Sequence, residues 1–321
     1  MSRHSDIHNH RYAIASALVC ALCGANCGAR SSIDGASDAG NGLDADASLP
    51  RSCDPESTFI KLSALSINSG FDDFDIRFTP DERTAYFISN RARQPGSGVD
   101  VFTTRREDLT SSLSSPEIVT GLANPNAAAP NPTPDSLNMV FENGCVPALA
   151  NKAALCGATR PTQASAFEAP FTINVKPDNG SFADFGGSAY TIHGATIVYF
   201  QANHIGANAI GLARAARIDA TSFGPIVAVA IQDAPSGVLS APVVSEDETI
   251  LYFVQAQGVT VTIWVATRTT PAMPFANAHV VAELPTSAYP NWLSPDGCRL
   301  YFTGTVDSDS GSHAHLFVAT R

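Results

Sequence analysis

Ser294-Pro295-Asp296-Gly297-Cys298-Arg299-Leu300-Tyr301-Phe302 is the stretch from which the rest of the chain can be read. Ser, Pro and Gly at the first, second and fourth positions of residues 294–297 are the residues of a type I turn. Asn291-Trp292-Leu293 before it and Arg299-Leu300-Tyr301-Phe302 after it are short apolar and aromatic runs, as strands flanking a tight hairpin are. One copy is a strand, a turn and a strand.

Four weaker copies lie upstream: DIRFTPDERTAYF (75–87), NPTPDSLNMVF (131–141), AYTIHGATIVYF (189–200) and PVVSEDETILYF (242–253). Their closing phenylalanines, with Phe302, recur at intervals of about 50 to 60 residues, a period that marks a repeat architecture. A third strand-like run follows each copy and leads to an arginine, at 106, 160, 214 or 217, 268 and 321. A fourth apolar run then follows four of them, at 114–122, 167–175, 223–231 and 275–284. Four strands per repeat of this length make the blade of a β-propeller.

The fifth fourth strand is sought at the other end of the chain. Residues 58–66, TFIKLSALS, precede the first copy and have the length to pair with residues 316–320. A ring left with one unpaired edge would expose a template for aggregation, which natural sheets avoid. The expectation is therefore all-β: a five-bladed β-propeller over residues 55–321, four antiparallel strands per blade, the last blade completed by the N-terminal strand.

Nineteen basic against thirty acidic residues give a formal charge of -11, which excludes a nucleic-acid surface built on clustered Lys and Arg. Residues 1–27 read as an export signal, with Arg3 and Arg11 ahead of an uncharged apolar run from Ala13 to Leu22 that is too short to span a bilayer. Residues 28–54 are rich in Ala, Gly, Ser and Asp and read as a disordered, solvated tether. GANCGARSS around Cys27 resembles the cleavage region of bacterial lipoproteins, although Asn26 stands where that family has a small residue. The resemblance implies a lipid anchor on Cys27; plain secretion after cleavage nearby is the alternative.

Export permits disulfides, and four cysteines follow the tether: Cys53, Cys145, Cys156 and Cys298. Three pairings are possible. Cys145 and Cys156 flank one hairpin loop and can staple it. Cys53 precedes the closing strand and Cys298 begins the second strand of the last blade, so a bond between them would latch the ring.

The SPDG-x-x-LYF elements, with DVFTTR (100–105) and IWVATR (263–268), resemble the WD40-like β-propeller repeats of the TolB type over residues 56–321. The chain departs from that pattern at Ser136, which replaces the turn glycine, and at Thr191-Ile192-His193-Gly194, which stands in place of Ser-Pro-Asp-Gly. The resemblance implies an exported, envelope-associated or secreted binding scaffold; the fold by itself assigns no ligand.

The periodic Asp81, Asp135, Asp247 and Asp296, and the arginine after each third strand, read as structural turn caps and ion pairs. Residues that differ between blades are the candidates for function. Asp73, Asp75, Asp184, Tyr289 and Asn291 open their blades on the face opposite the turns and are expected to contact a protein, peptide or glycan there. No G-x-S-x-G, H-E-x-x-H or P-loop sequence is present, so binding is favoured over catalysis, by a monomer without cofactor or metal. The alternative is a secreted glycoside hydrolase using Asp73, Asp75 and Asp184 as channel carboxylates.

Overall fold

The computed structural model describes residues 53–94, 98–122, 127–143, 145, 154–176, 184–205, 208–308 and 311–321. The expected signal, nearly all of the tether and Cys27 lie outside them.

The described residues form twenty-one strands in succession: β1 (Lys61–Ala64), β2 (Asp73–Phe78), β3 (Thr84–Ser89), β4 (Asp100–Arg105), β5 (Glu117–Ile118), β6 (Ala128–Pro132), β7 (Asn138–Glu142), β8 (Leu155–Thr159), β9 (Phe171–Val175), β10 (Asp184–Ile192), β11 (Ile197–Ile205), β12 (Asn208–Asp219), β13 (Ser222–Phe223), β14 (Val227–Ala228), β15 (Val238–Val244), β16 (Ile250–Gln257), β17 (Thr260–Thr267), β18 (Ala276–Val280), β19 (Tyr289–Leu293), β20 (Arg299–Ser308) and β21 (Gly311–Thr320). Among the described residues there is no α-helix, only a single 3-10 turn at His193–Ala195.

Three sheets have four strands, in the orders β2-β3-β4-β5, β15-β16-β17-β18 and β1-β21-β20-β19. The fourth has nine, because the two-residue β13 pairs antiparallel with β12 and parallel with β9 and so joins β6–β9 to β10–β12 and β14. The N-terminal strand does close the last sheet: β1 runs antiparallel to β21 from Lys61 opposite Thr320 to Ala64 opposite Phe317.

The repeated hairpin is built as its residues dictate. Backbone bonds close the turns at Glu82 to Thr79, Ser136 to Thr133, Glu248 to Ser245 and Gly297 to Ser294. The fourth residue of each is left-handed, with φ between 56° and 72°. In each turn the Thr or Ser hydroxyl donates to the Asp two residues on (Asp81, Asp135, Asp247, Asp296), at 2.5–2.6 Å, and Asp81, Asp135, Asp247 and Asp296 each also accept a backbone N–H two residues further along. An Asp that holds its own turn this way leaves the backbone little alternative to the hairpin.

The second strands carry the core. Tyr86, Tyr199, Tyr252 and Tyr301, with Phe87, Phe141, Phe200, Phe253 and Phe302, are among the largest fully buried side chains. Each arginine after a third strand seals this core at the turn end. Arg106, Arg160, Arg268 and Arg321 donate Nε–H to the backbone carbonyl of the left-handed turn residue (for Arg321, Gly297) of their own hairpin. Their second guanidinium nitrogen reaches the tyrosine hydroxyl of the preceding repeat: Tyr301, Tyr86, Tyr199 and Tyr252 respectively. In the third repeat the clamp is Arg217, which bonds to the carbonyls of Ala195, Asp219 and Ala220, while Arg214 pairs with Glu248.

Two disulfides complete the frame. Cys53–Cys298 spans 245 positions of sequence and Cys145–Cys156 spans 11. Disulfides of this kind persist in oxidising compartments.

Candidate functional site

The first strands β2, β6, β10, β15 and β19 share one irregularity. Each has an extra residue against its second strand, between Phe74 and Arg77, Ala128 and Asn131, Gly187 and Tyr190, Ser240 and Val243, and Pro290 and Trp292, and β10 has a further one between Phe185 and Gly187. In the first four the residue four before the turn is left-handed: Asp75, Ala129, Ser188 and Ala241. The fifth has Pro290 there, whose ring forbids positive φ, so the extra residue falls at Asn291 instead.

Two positions before each turn, at the same register, stand Arg77, Asn131, Tyr190, Val243 and Trp292. Four of these five line one cavity of about 20 Å³, together with Phe78 and Thr191. First strands from four repeats thus converge on a single axis, and their side chains fill it.

The polar groups on this axis hold one another. Arg77 is 5 % exposed; its guanidinium donates to Asn131 Oδ1 at 2.9 Å and to the Ala189 carbonyl at 3.2 Å, and lies 4.6 Å over the Tyr190 ring. Asn131 donates in turn to the Ala129 carbonyl and accepts the Thr191 N–H. Glu142, at the end of β7, accepts the Ala189 N–H. Burial pushes the Glu142 carboxyl up to about 7, with the Ala189 bond and Arg77 working against the shift and Asp75 adding to it. Burial also raises Asp75, which Arg77 and the Ala129 N–H partly offset.

The residues expected from sequence fare differently. Asp73 is fully buried; it pairs with Arg91 at 2.5 Å and accepts both the N–H and the hydroxyl of Ser69. Asp75 stands on the β2 bulge, and its N–H donates to Thr303 Oγ1, whose hydroxyl donates to Asn291 Oδ1. Asp75 and Asn291 are therefore brought together, with Asn291 1 % exposed. Tyr289 begins β19 and is half-buried, its phenol raised by desolvation. Asp184 begins β10 opposite Asn203. Arg77, Asn131, Glu142 and Tyr190 were not anticipated. Aligning the five first strands on their turns would have found three of the four, as the register position where the residue type changes from repeat to repeat.

No protein-family model matches the chain, and no curated protein matches it. Among solved structures it is similar to RS223-β-xylosidase, at 14 % identity and a TM-score of 0.54, over 81 % of this chain and 94 % of that one. It is similar to the GH43_1 enzyme from Xanthomonas citri complexed with xylotriose, at 13 % identity and a TM-score of 0.55, over 82 % and 90 %. TolB from Acinetobacter baumannii matches at 13 % identity and a TM-score of 0.46, over 79 % of this chain and 55 % of TolB. At such identities the likeness gives the fold alone, which is all-β and propeller-like.

Proposed function

We propose that the chain is an exported five-bladed propeller of the WD40-like, TolB type, tethered to the cell envelope through Cys27, that acts as a scaffold binding a protein, peptide or glycan. The ring of five rests on the bulge repeated in five first strands and on the pairing of β1 with β21, with the nine-stranded sheet taken as two blades joined by β13. The observation that carries the binding reading is the filled axis. A cavity of about 20 Å³ lined by Arg77, Tyr190 and Trp292 has no room for a sugar ring, whereas ligand sites measure roughly 300–1,000 Å³. Ligand contact is assigned to the face opposite the turns. There Asp73 and Asn291 hold the shape of the mouth from within, and Asp75, Asp184 and Tyr289 are the contact candidates.

A glycoside hydrolase is the second reading, favoured by the likeness to a β-xylosidase and by the neighbouring axial carboxylates Asp75 and Glu142. Aryl β-xylosides and α-arabinofuranosides tested with the purified protein are expected to give no turnover above that of Asp75→Asn or Glu142→Gln. Hydrolysis that these two changes abolish would replace the scaffold reading with the enzyme one. Mass spectrometry of the mature N-terminus tests the anchor, which requires a diacylglyceryl adduct on Cys27.

A further inference from the structure

A larger cavity, of about 130 Å³, lies at the seam that the N-terminal segment completes. Residues 55–59, which lead into β1, form one wall, and the end of β18 with residues 281–283 forms the other. Phe59, Tyr252, Val265 and Val281 are all buried and give it an apolar lining. Covering such a lining with an apolar group is favourable, because water is released from it.

The charged groups around it are unequally satisfied. The Arg321 guanidinium is spent on the protein: Nε on the Gly297 carbonyl, Nη1 on the carbonyls of Pro55 and Ser57, and Nη2 on the Tyr252 hydroxyl. Its face lies over Phe59. The carboxylates of Glu56 and Glu283 differ. Neither meets a lysine or an arginine among the described residues, and Glu56 Oε2 reaches across only to His279 Nε2, at 3.9 Å. Glu56 and His279 are each about half exposed, and Glu283 is partly so. Residues that line a cavity and also reach solvent stand at its opening. The negative charge is therefore at the mouth and the apolar surface within.

We infer that this cavity binds a small amphiphilic amine, which enters tail first and leaves its ammonium between Glu56 and Glu283. A volume of about 130 Å³ is close to that of the roughly 150 Å³ apolar cavity that takes a benzene ring, so about six non-hydrogen atoms fit. A lysine side chain of a partner would enter head first and carry its charge into the apolar interior, which is costly. A free amine avoids that cost. An anion would meet two carboxylates at the entrance, on a chain whose formal charge is -11. The site lies at the turn end of its seam and is independent of whatever ligand the opposite face takes.

The cations and neutral molecules that test this share one tail. n-Pentylammonium, 1-pentanol and pentanoate differ only in the head, and each is titrated into the purified protein under ligand-observed NMR. The ammonium is expected to bind saturably and tightest, the alcohol more weakly and the carboxylate not at all. Glu56→Gln and Glu283→Gln, both at positions that reach solvent, should each weaken the ammonium up to about fivefold and leave the alcohol unchanged. Nα-acetyl-lysine methylamide should not displace n-pentylammonium. No saturable binding of the ammonium, pentanoate binding at least as tight, an ammonium affinity that neither substitution changes, or full displacement by the lysine derivative would overturn the proposal.

Discussion

Glu142 sits where a carboxylate is hardest to keep ionised, 8 % exposed on the axis with Asp75 as a like-charged neighbour. Its carboxyl is raised from 4.5 to about 7, so the folded chain holds this proton more tightly than the unfolded chain does. The stability it contributes is fully present below about pH 4.5 and is lost as pH rises through 7. At about 1.4 kcal/mol per pKa unit, the stability difference between the unsubstituted protein and Glu142→Gln should shift by up to about 3 kcal/mol between pH 4.5 and 8. Denaturant titrations at the two pH values measure it, and parallel pH profiles for the two proteins would sink the assignment. Glu82 and Glu248, by contrast, each gather cations. Glu82 accepts from Arg106, Arg299 and Tyr301, and Glu248 from Arg214, Arg268 and Tyr199. Both occupy left-handed turn positions, at a cost of about 1–2 kcal/mol for a non-glycine residue. Charged hydrogen bonds at about 1.5–3 kcal/mol each outweigh that cost, which is why glycine is absent from these two turns.

At the scale of the element, β1 shows how a separate stretch of chain becomes the fourth strand of a distant sheet. Phe167, Phe223 and Phe275 each lie under the arginine of their own repeat, with Arg160, Arg217 and Arg268 at 4.5, 5.5 and 4.1 Å from the ring centres. Phe59 does the same for Arg321 at 4.7 Å and is 6 % exposed, although β1 itself is mostly solvent-facing. One ring therefore anchors the strand. Phe59→Ala should cost about 3 kcal/mol and Phe59→Leu under about 1.5, measured as the shift in denaturant midpoint; equal losses would mean that the aromatic ring under Arg321, and not the volume it fills, is what matters. The pairing of β1 was legible in the sequence because an apolar run of the right length stood ahead of a repeat that lacked a partner. The turns were legible because Ser or Thr, Asp and a left-handed residue recur at fixed offsets. Other features were not. β13 is two residues long, and its parallel bonds to β9 join two repeats, so no pattern within one repeat announces them. The setting of Asp73 was hidden for a related reason: it looks like a free loop carboxylate until Arg91, 18 residues on, folds back onto it. Glu142 merely ends a second strand, and only the convergence of first strands from other repeats makes it axial.

For the whole molecule, four arginine–tyrosine contacts each stitch a repeat to the one before it, and one of them, Arg106–Tyr301, joins the first to the last. One seam lacks the stitch, because Val140 stands where the other repeats have tyrosine, and there β13 bonds to β9 instead. The seam completed by the N-terminal segment carries a covalent bond as well. Cys53–Cys298 closes a loop of 245 positions and Cys145–Cys156 one of 11. In the chain-entropy model these contribute roughly 5 and roughly 3 kcal/mol. The double change of Cys53 and Cys298 to Ser should therefore lower unfolding stability more than the corresponding change of Cys145 and Cys156. A molecule stitched at every seam should still lose its structure in one step. Trp264 on β17 and Trp292 on β19 belong to adjoining sheets, so single-tryptophan versions of the latch variant can report each separately. The expected result is a common, lowered midpoint in both fluorescence signals and in far-ultraviolet circular dichroism. If Trp292 were released well before Trp264, the last sheet would be a detachable flap held by its disulfide, and the closed ring would have to be abandoned as the unit of folding.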